Sequence, residues 1–230
     1  MATEAASAQA LVNIFLQCLD DRSILNYAKG MKEIKRSDQT RKNILSAGRL
    51  LIGKHGYSAV GLALILKESN VPKGSFYHYF PSKEAFGQAL LDDYVTDYLT
   101  RVDTLSSGPG TAGEKLSAFW TAWLTQSGSE GIASQCLVVK LGAEIADLSD
   151  EMRTVLDQGV ATLVDRIAEL LVQGERDGSV VAVTDAQATA QMLYAKWLGA
   201  AVLSKLSRDE LPLRRALAET KASLFPETGH

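Results

Sequence analysis

Cysteine and histidine are scarce in this 230-residue chain, which has two of the former, Cys18 and Cys136, and three of the latter, His55, His78 and His230. Two cysteines cannot build a disulfide framework, and no Cys or His pair has the spacing of a zinc site, so neither metal nor cofactor is called for. No uncharged apolar run approaches the roughly 18 residues of a membrane span. The first 30 residues lack the basic start, apolar stretch and small-residue cleavage site of an export signal, so the expected compartment is the cytoplasm, with no membrane partner. Proline is rare, five in the chain, and nearly absent from the interiors of the periodic segments. Period-two alternation is confined to the short stretch 180–183. With strands disfavoured and 46% of residues hydrophobic, the expected fold class is all-α with a real core.

Net charge is −3, which taken alone argues weakly against a polyanionic partner. The charges are segregated, however. Residues 29–83 hold 11 Lys/Arg against 3 Asp/Glu, whereas residues 84–230 hold 12 against 21. A compact basic module joined to an acidic one suits a protein whose first part meets phosphates, because neutralising them releases counterions, while the second part does something else. An ordinary solvated basic surface is the bland alternative.

Helix signals recur along the chain. Asp38 is placed to cap a helix running to Gly56, with Ile44, Leu45, Leu50, Leu51 and Ile52 as its apolar stripe and Gly56 as its stop. Leu62, Leu64, Ile65 and Leu66 form a second, short helix ending near Ser69-Asn70; Val71-Pro72 turns the chain, and the proline opens a third helix at Lys73. Pro81-Ser82 breaks and caps before a long connector that starts at Lys83. A Gly/Ser/Pro-rich loop at 106–113 marks the second domain, with helices expected at about 114–127, 134–147, 149–177, 185–206 and 210–223. In the two longest, Met152, Val155, Leu156, Leu163, Ile167 and Leu170, then Met192, Leu193, Trp197 and Ala201, are candidates for a subunit interface that Gly199, Ala200 and Ala201 would let approach closely; core packing explains them equally well. The expected domains are residues 1–35, an N-terminal extension; 36–83, a helix-turn-helix unit; and 84–225, a regulatory and dimerisation domain. The extension precedes or includes a second methionine, Met31, that could be the true start, and its Cys18 reads as incidental.

Two short helices joined by a tight turn are the unit that places a helix in the major groove. In residues 71–80, VPKGSFYHYF, Phe76 and Phe80 are four apart and should face inward, leaving Lys73, Ser75, Tyr77, His78 and Tyr79 toward solvent or groove. Lys73 and Ser75 at the helix start could reach base edges or phosphates, Gly74 lets a backbone come close, and the three rings offer hydrogen bonds and flat faces. Lys83 is a candidate phosphate clamp.

The span from Thr40 to Leu91, with its core VPKGSFYHYFPSKEAF at 71–86, resembles the DNA-binding domain of TetR-type repressors. That resemblance implies an all-helical homodimer without catalysis, whose variable C-terminal domain controls the spacing of two reading heads on pseudo-palindromic double-stranded operator DNA, roughly one helical turn of about 34–36 Å apart or a multiple of it. Residues 134–153, SQCLVVKLGAEIADLSDEMR, and 193–207, LYAKWLGAAVLSKLS, are similar to the NemR branch, repressors that respond to electrophiles and reactive chlorine through a cysteine. The branch's sensing cysteine falls at Cys136 and a lysine able to form a sulfenamide at Lys205; Ala146 stands where another cysteine would be expected, which argues against disulfide-based sensing.

Cys136 has a physical reading of its own. It follows Gly131-Ile132-Ala133-Ser134 at an expected helix start, with Lys140 four residues on, and both features favour the thiolate. A thiolate can be alkylated, or oxidised to a sulfenic acid that a nearby amine captures. A buried structural cysteine is the commoner case, and Lys196 rivals Lys205 as partner. Within the regulator class the alternative is release by a noncovalent small ligand in an apolar pocket lined by Trp120, Trp123, Tyr194 and Trp197, where aromatic core is the bland reading. A thiol-dependent enzyme using Cys136 is a distant third, having no Cys-x-x-Cys and no nearby histidine in sequence. A nonspecific DNA-coating protein would show steep salt dependence and little sequence preference.

Overall fold

A computed structural model of the chain describes residues 36–124 and 131–225. The extension at 1–35, with Cys18 and Met31, lies outside the described residues. Those described are helical, with no β-strand among them. In chain order the helices are α1 (Arg36–His55), α2 (Leu62–Ser69), α3 (Lys73–Tyr79), α4 (Lys83–Ser107), α5 (Ala112–Thr121), α6 (Ile132–Gln135), α7 (Leu137–Leu148), α8 (Asp150–Asp177), α9 (Ala186–Ser207) and α10 (Leu211–Leu224). None is long and apolar enough to cross a membrane. Two compact units emerge, one of residues 36–98 with Lys140–Gly159, the other of Leu99–Val139 with residues 160–225.

In the first unit α1 starts at Arg36, so Asp38 sits inside its first turn, where an acidic side chain still complements the helix dipole. Gly56 ends the helix at φ +84°, donating its N–H to Ile52 O at 2.9 Å, a left-handed position that a Cβ would strain. Ile44, Leu45 and Ile52 are buried, but Leu50 is 56% exposed, because at about 100° per residue it lies on the opposite face of the helix from those three. Phe86 of α4 fills the space a Cβ would need at Gly48. Phe76, Phe80 and Phe86 meet with ring centroids 5.3–5.4 Å apart and form the centre of this unit.

In the second unit Thr111 and Glu114 close a capping box at the start of α5. Asp185 caps α9 through Ala188 N–H. α10 packs along α9, α5 packs on α10, and α6 packs on α9. At the centre the Trp120 and Trp197 rings stack at 4.9 Å, and the Trp197 indole donates to Thr220 Oγ1 at 3.1 Å, which satisfies both groups in the core. Val181 N–H donates to Leu224 O at 2.8 Å, so the alternating stretch at 180–183 is a pinned loop.

The apolar positions expected to face a second subunit divide. Met152, Leu156, Leu163, Ile167, Leu170, Leu193, Trp197 and Ala201 are buried within the chain's own core, because these long helices also have to cover it. The large apolar side chains that α9 leaves exposed are Met192, Val202, Leu203 and Leu206, with Gly199 also exposed.

Candidate nucleic-acid interface and sensor

The turn between α2 and α3 is built from two residues that sequence makes suitable. Asn70 adopts φ 52°, ψ 43° and sends its N–H back to Lys67 O, a left-handed cap that Asn tolerates better than most residues. Pro72 then takes φ −61°, ψ 147° as the residue ahead of α3, and its carbonyl accepts from Ser75 N–H at 3.0 Å. The turn needs only Asn70 and Val71 between α2 and that proline.

Helix α3 has the two faces its sequence called for. Phe76 is 0% exposed and Phe80 2%, burial of each side chain stabilising the unit by roughly 1.5–3 kcal/mol. Lys73, Gly74, Tyr77 and His78 are exposed, and Ser75 and Tyr79 are half-buried. The His78 and Tyr79 rings meet edge-to-face at 5.1 Å, and Lys73 Nζ lies 5.9 Å from the Tyr77 ring centre, so the outward side chains support one another. At Gly74 an added Cβ would find no atom within 4 Å, and its φ is ordinary.

The basic residues of this unit are not equivalent. Lys42, Lys54, Lys67 and Lys73 are exposed, as is Arg41, whose guanidinium lies 5.5 Å from the Phe80 ring centre. Arg49 instead pairs with Asp97 at 3.1 Å and lies over Tyr94. Lys83, the expected phosphate clamp, turns its Nζ to Tyr57 O at 3.0 Å and over the Tyr57 ring at 4.5 Å, while the Tyr57 hydroxyl donates to Lys83 O at 2.8 Å. Partial burial draws the Lys83 ammonium below the ordinary lysine range, and the charge of Glu144 opposes that. Burial and the charge of Glu84 push the Tyr57 phenol up to about 12.

Cys136 is the single residue between α6 and α7. It is 4% exposed, extended at φ −62°, ψ 116°, and stands ahead of the first turn of α7, so the expected helix over 134–147 is broken at the cysteine itself. Its N–H donates to Ile132 O at 2.9 Å, and the preceding residues are tied to the turn that follows α5 by Ile132 N–H to Ala122 O and Ala133 N–H to Trp123 O. Because α6 packs on α9, the element just before the cysteine adjoins the helix that carries both candidate lysines. Lys196 is half-buried and paired with Glu219 at 3.6 Å, whereas Lys205 is exposed in the last turn of α9.

Trp120, Trp123, Tyr194 and Trp197 are brought together, each at most 4% exposed, with neighbouring ring centroids 4.9–6.1 Å apart. The rings pack on one another, and the indole N–H groups of Trp120 and Trp123 have no acceptor among the described residues. Among the described residues no cluster of three His, Cys, Asp or Glu is placed to hold a metal ion.

A two-helix unit with a buried aromatic face and an outward polar, cationic flank defines the chain as a helix-turn-helix DNA-binding regulator. Comparison with known proteins agrees: residues 44–90 match the family described as bacterial regulatory proteins, tetR family, and residues 112–220 match the tetracyclin repressor-like C-terminal domain. The chain is 40% identical over 183 residues to the HTH-type transcriptional repressor NemR of Escherichia coli (strain K12), an alignment covering 79% of this chain and 92% of that one. It is 34% identical to the transcriptional regulator AcuR of Cereibacter sphaeroides, over 75% of this chain and 79% of the other. Among solved structures, the reduced form of E. coli NemR superposes with a TM-score of 0.76 at 37% identity, over 83% of this chain and all of that one. The chain belongs to the TetR family of bacterial regulatory proteins. It is a transcriptional repressor and not an enzyme, and as a member of this family it acts as a dimer on operator DNA.

Proposed function

We propose that this repressor leaves its operator when Cys136 is chemically modified by an electrophile or oxidant. The observation that carries the reading is the place of Cys136: a buried sulfur at the break between two helices, ahead of a turn whose N–H groups lack intrahelical acceptors. Because the residue is buried between α6 and α7, an added group there strains the packing around both helices. With a maleimide or another electron-poor alkene, the thiolate sulfur forms an S–C bond and the alkene carbon alpha to the carbonyl takes up the proton. With hypochlorous acid the sulfur is oxidised to sulfenic acid as chloride leaves; an amine, for which Lys205 is the candidate, then forms an S–N bond and releases water. Lys196 is the weaker candidate because its ammonium already pairs with Glu219. The similarity to NemR supports this reading.

On the DNA side, Lys73, Gly74, Ser75, Tyr77, His78 and Tyr79 form the reading surface, and the exposed Met192, Gly199, Val202, Leu203 and Leu206 of α9 meet their counterparts on a second copy, so that two heads address a pseudo-palindrome. Such a protein works in the cytoplasm, where the DNA is.

The test is operator affinity of wild type and Cys136→Ser, each with and without N-ethylmaleimide or hypochlorite. Wild type should be released and Cys136→Ser should stay bound; release of the variant to the same extent overturns the thiol mechanism. A second reading, release by a noncovalent ligand, is favoured by the two indole N–H groups that have no acceptor among the described residues, since each buried, unmade bond costs about 1–3 kcal/mol that an oxygen-bearing apolar ligand would recover. Quenching of tryptophan fluorescence together with release of Cys136→Ser would select it.

A further inference from the structure

One carboxylate on α7 closes the joint between α1 and α2. The Tyr57 backbone N–H donates to Glu144 Oε2 at 3.1 Å, and the Ser58 N–H donates to Glu144 Oε1 at 2.7 Å. These two amides lie just beyond the end of α1, where the chain turns toward the two-helix reading unit. Gly56, directly before them, holds φ +84°, and a Cβ there would come within 3.1 Å of Glu144 Oε2, so the joint is shaped to admit the carboxylate. Lys83, the first residue of α4, bonds the carbonyl of the same Tyr57 and is attracted to Glu144. Partial burial works against ionisation of Glu144, but the bonds from Ser58 and Tyr57 and the Lys83 charge outweigh it and hold the carboxyl below its usual range. Nothing in the sequence near position 144 announces this, because the partners are 86 and 87 residues away.

We propose that Glu144 is a positioning residue for operator binding: it ties α7 to the joint in front of the reading unit and so fixes how each protomer presents its recognition helix. A dimer grips two half-sites at once, and the gain from the second contact depends on the second head being held where its half-site lies. Loosening the joint leaves each head able to read but lowers the effective concentration of the second at its site. Because α7 begins immediately after Cys136 and carries Glu144 just over two turns along, the same tie is the route by which a disturbed cysteine reaches the heads; that last step alone rests on the sensing reading.

The experiment uses the full-length dimer on two duplexes: the tightest site recovered by selection from random DNA, and the same duplex with one half scrambled. Glu144→Ala should weaken binding to the intact site by about tenfold or more and to the half-scrambled duplex by less than about threefold; Glu144→Gln, which keeps one oxygen acceptor, should fall between Ala and wild type. A general folding defect would weaken both duplexes alike. Equal losses on the two duplexes therefore overturn the proposal, as does intact-site affinity within about threefold of wild type. If Glu144→Ala loses its helical circular dichroism, Glu144→Gln decides by the same comparison: a loss confined to the intact site supports the proposal, and an equal loss or none overturns it. No electrophile enters this measurement. A separate arm, N-ethylmaleimide on the wild-type protein, tests the cysteine reading alone, so either conclusion can fail without the other.

Discussion

Gly74→Ala separates what this protein needs in order to fold from what it needs in order to bind DNA. Gly74 is the second residue of α3, is exposed, has an ordinary φ and would present an added Cβ to open space. Nothing inside the molecule requires a glycine there. Alanine is the better helix former by up to about 1 kcal/mol, and for a chain of 230 residues that corresponds to a rise in Tm of roughly 2–4 °C. The same Cβ would project from the first turn of the helix that enters the groove, where a backbone or base edge comes close. A displacement that breaks even one good polar contact costs about 1–3 kcal/mol, or about fivefold to 150-fold in affinity. Scanning calorimetry and fluorescence anisotropy on a labelled operator measure the two effects in one preparation. The expected outcome is a more stable protein that binds its operator at least about fivefold more weakly. Higher Tm with unchanged operator affinity would refute the placement of the α3 start against DNA.

Other outcomes follow from the same geometry. Tyr77→Ala and His78→Ala should reduce discrimination between cognate and random duplexes, whereas Lys73→Ala should weaken both and lower the salt slope by about 1; competition titrations at several salt concentrations distinguish them, and equal losses for Tyr77→Ala on the two duplexes would contradict a base-reading role. Phe76→Ala removes a fully buried ring at the meeting point of three phenylalanines and should cost about 3–5 kcal/mol in urea unfolding, abolishing operator binding under ordinary conditions. The Tyr57 phenol is pushed up to about 12 in the folded protein, so its contribution to stability is complete below the unfolded value near 10 and is lost as pH rises through the folded one. Stability should therefore fall across that alkaline window in wild type and less steeply in Tyr57→Phe, as followed by urea midpoints at each pH.

Local physics made much of this protein legible from its sequence. The spacing of Phe76 and Phe80 requires them to share one face of any helix, the proline at 72 can only open such a helix, and Gly56 is a ready stop. The order of helices, the inward and outward faces of α3 and the family itself follow from patterns a few residues long. Lys83 and the apolar residues of α8 and α9 were decided elsewhere. Whether a lysine greets a phosphate or a tyrosine carbonyl, and whether a leucine meets the core or a second subunit, depends on what another part of the chain brings within about 3–5 Å. The break at Cys136 follows bonds from 132 and 133 to the turn after α5, and the Glu144 tie depends on partners some ninety residues distant. Helical periodicity assigns a face to a side chain. Only the packed chain assigns it a neighbour, because hydrogen bonds and close contacts act over a few ångströms of space irrespective of separation along the backbone.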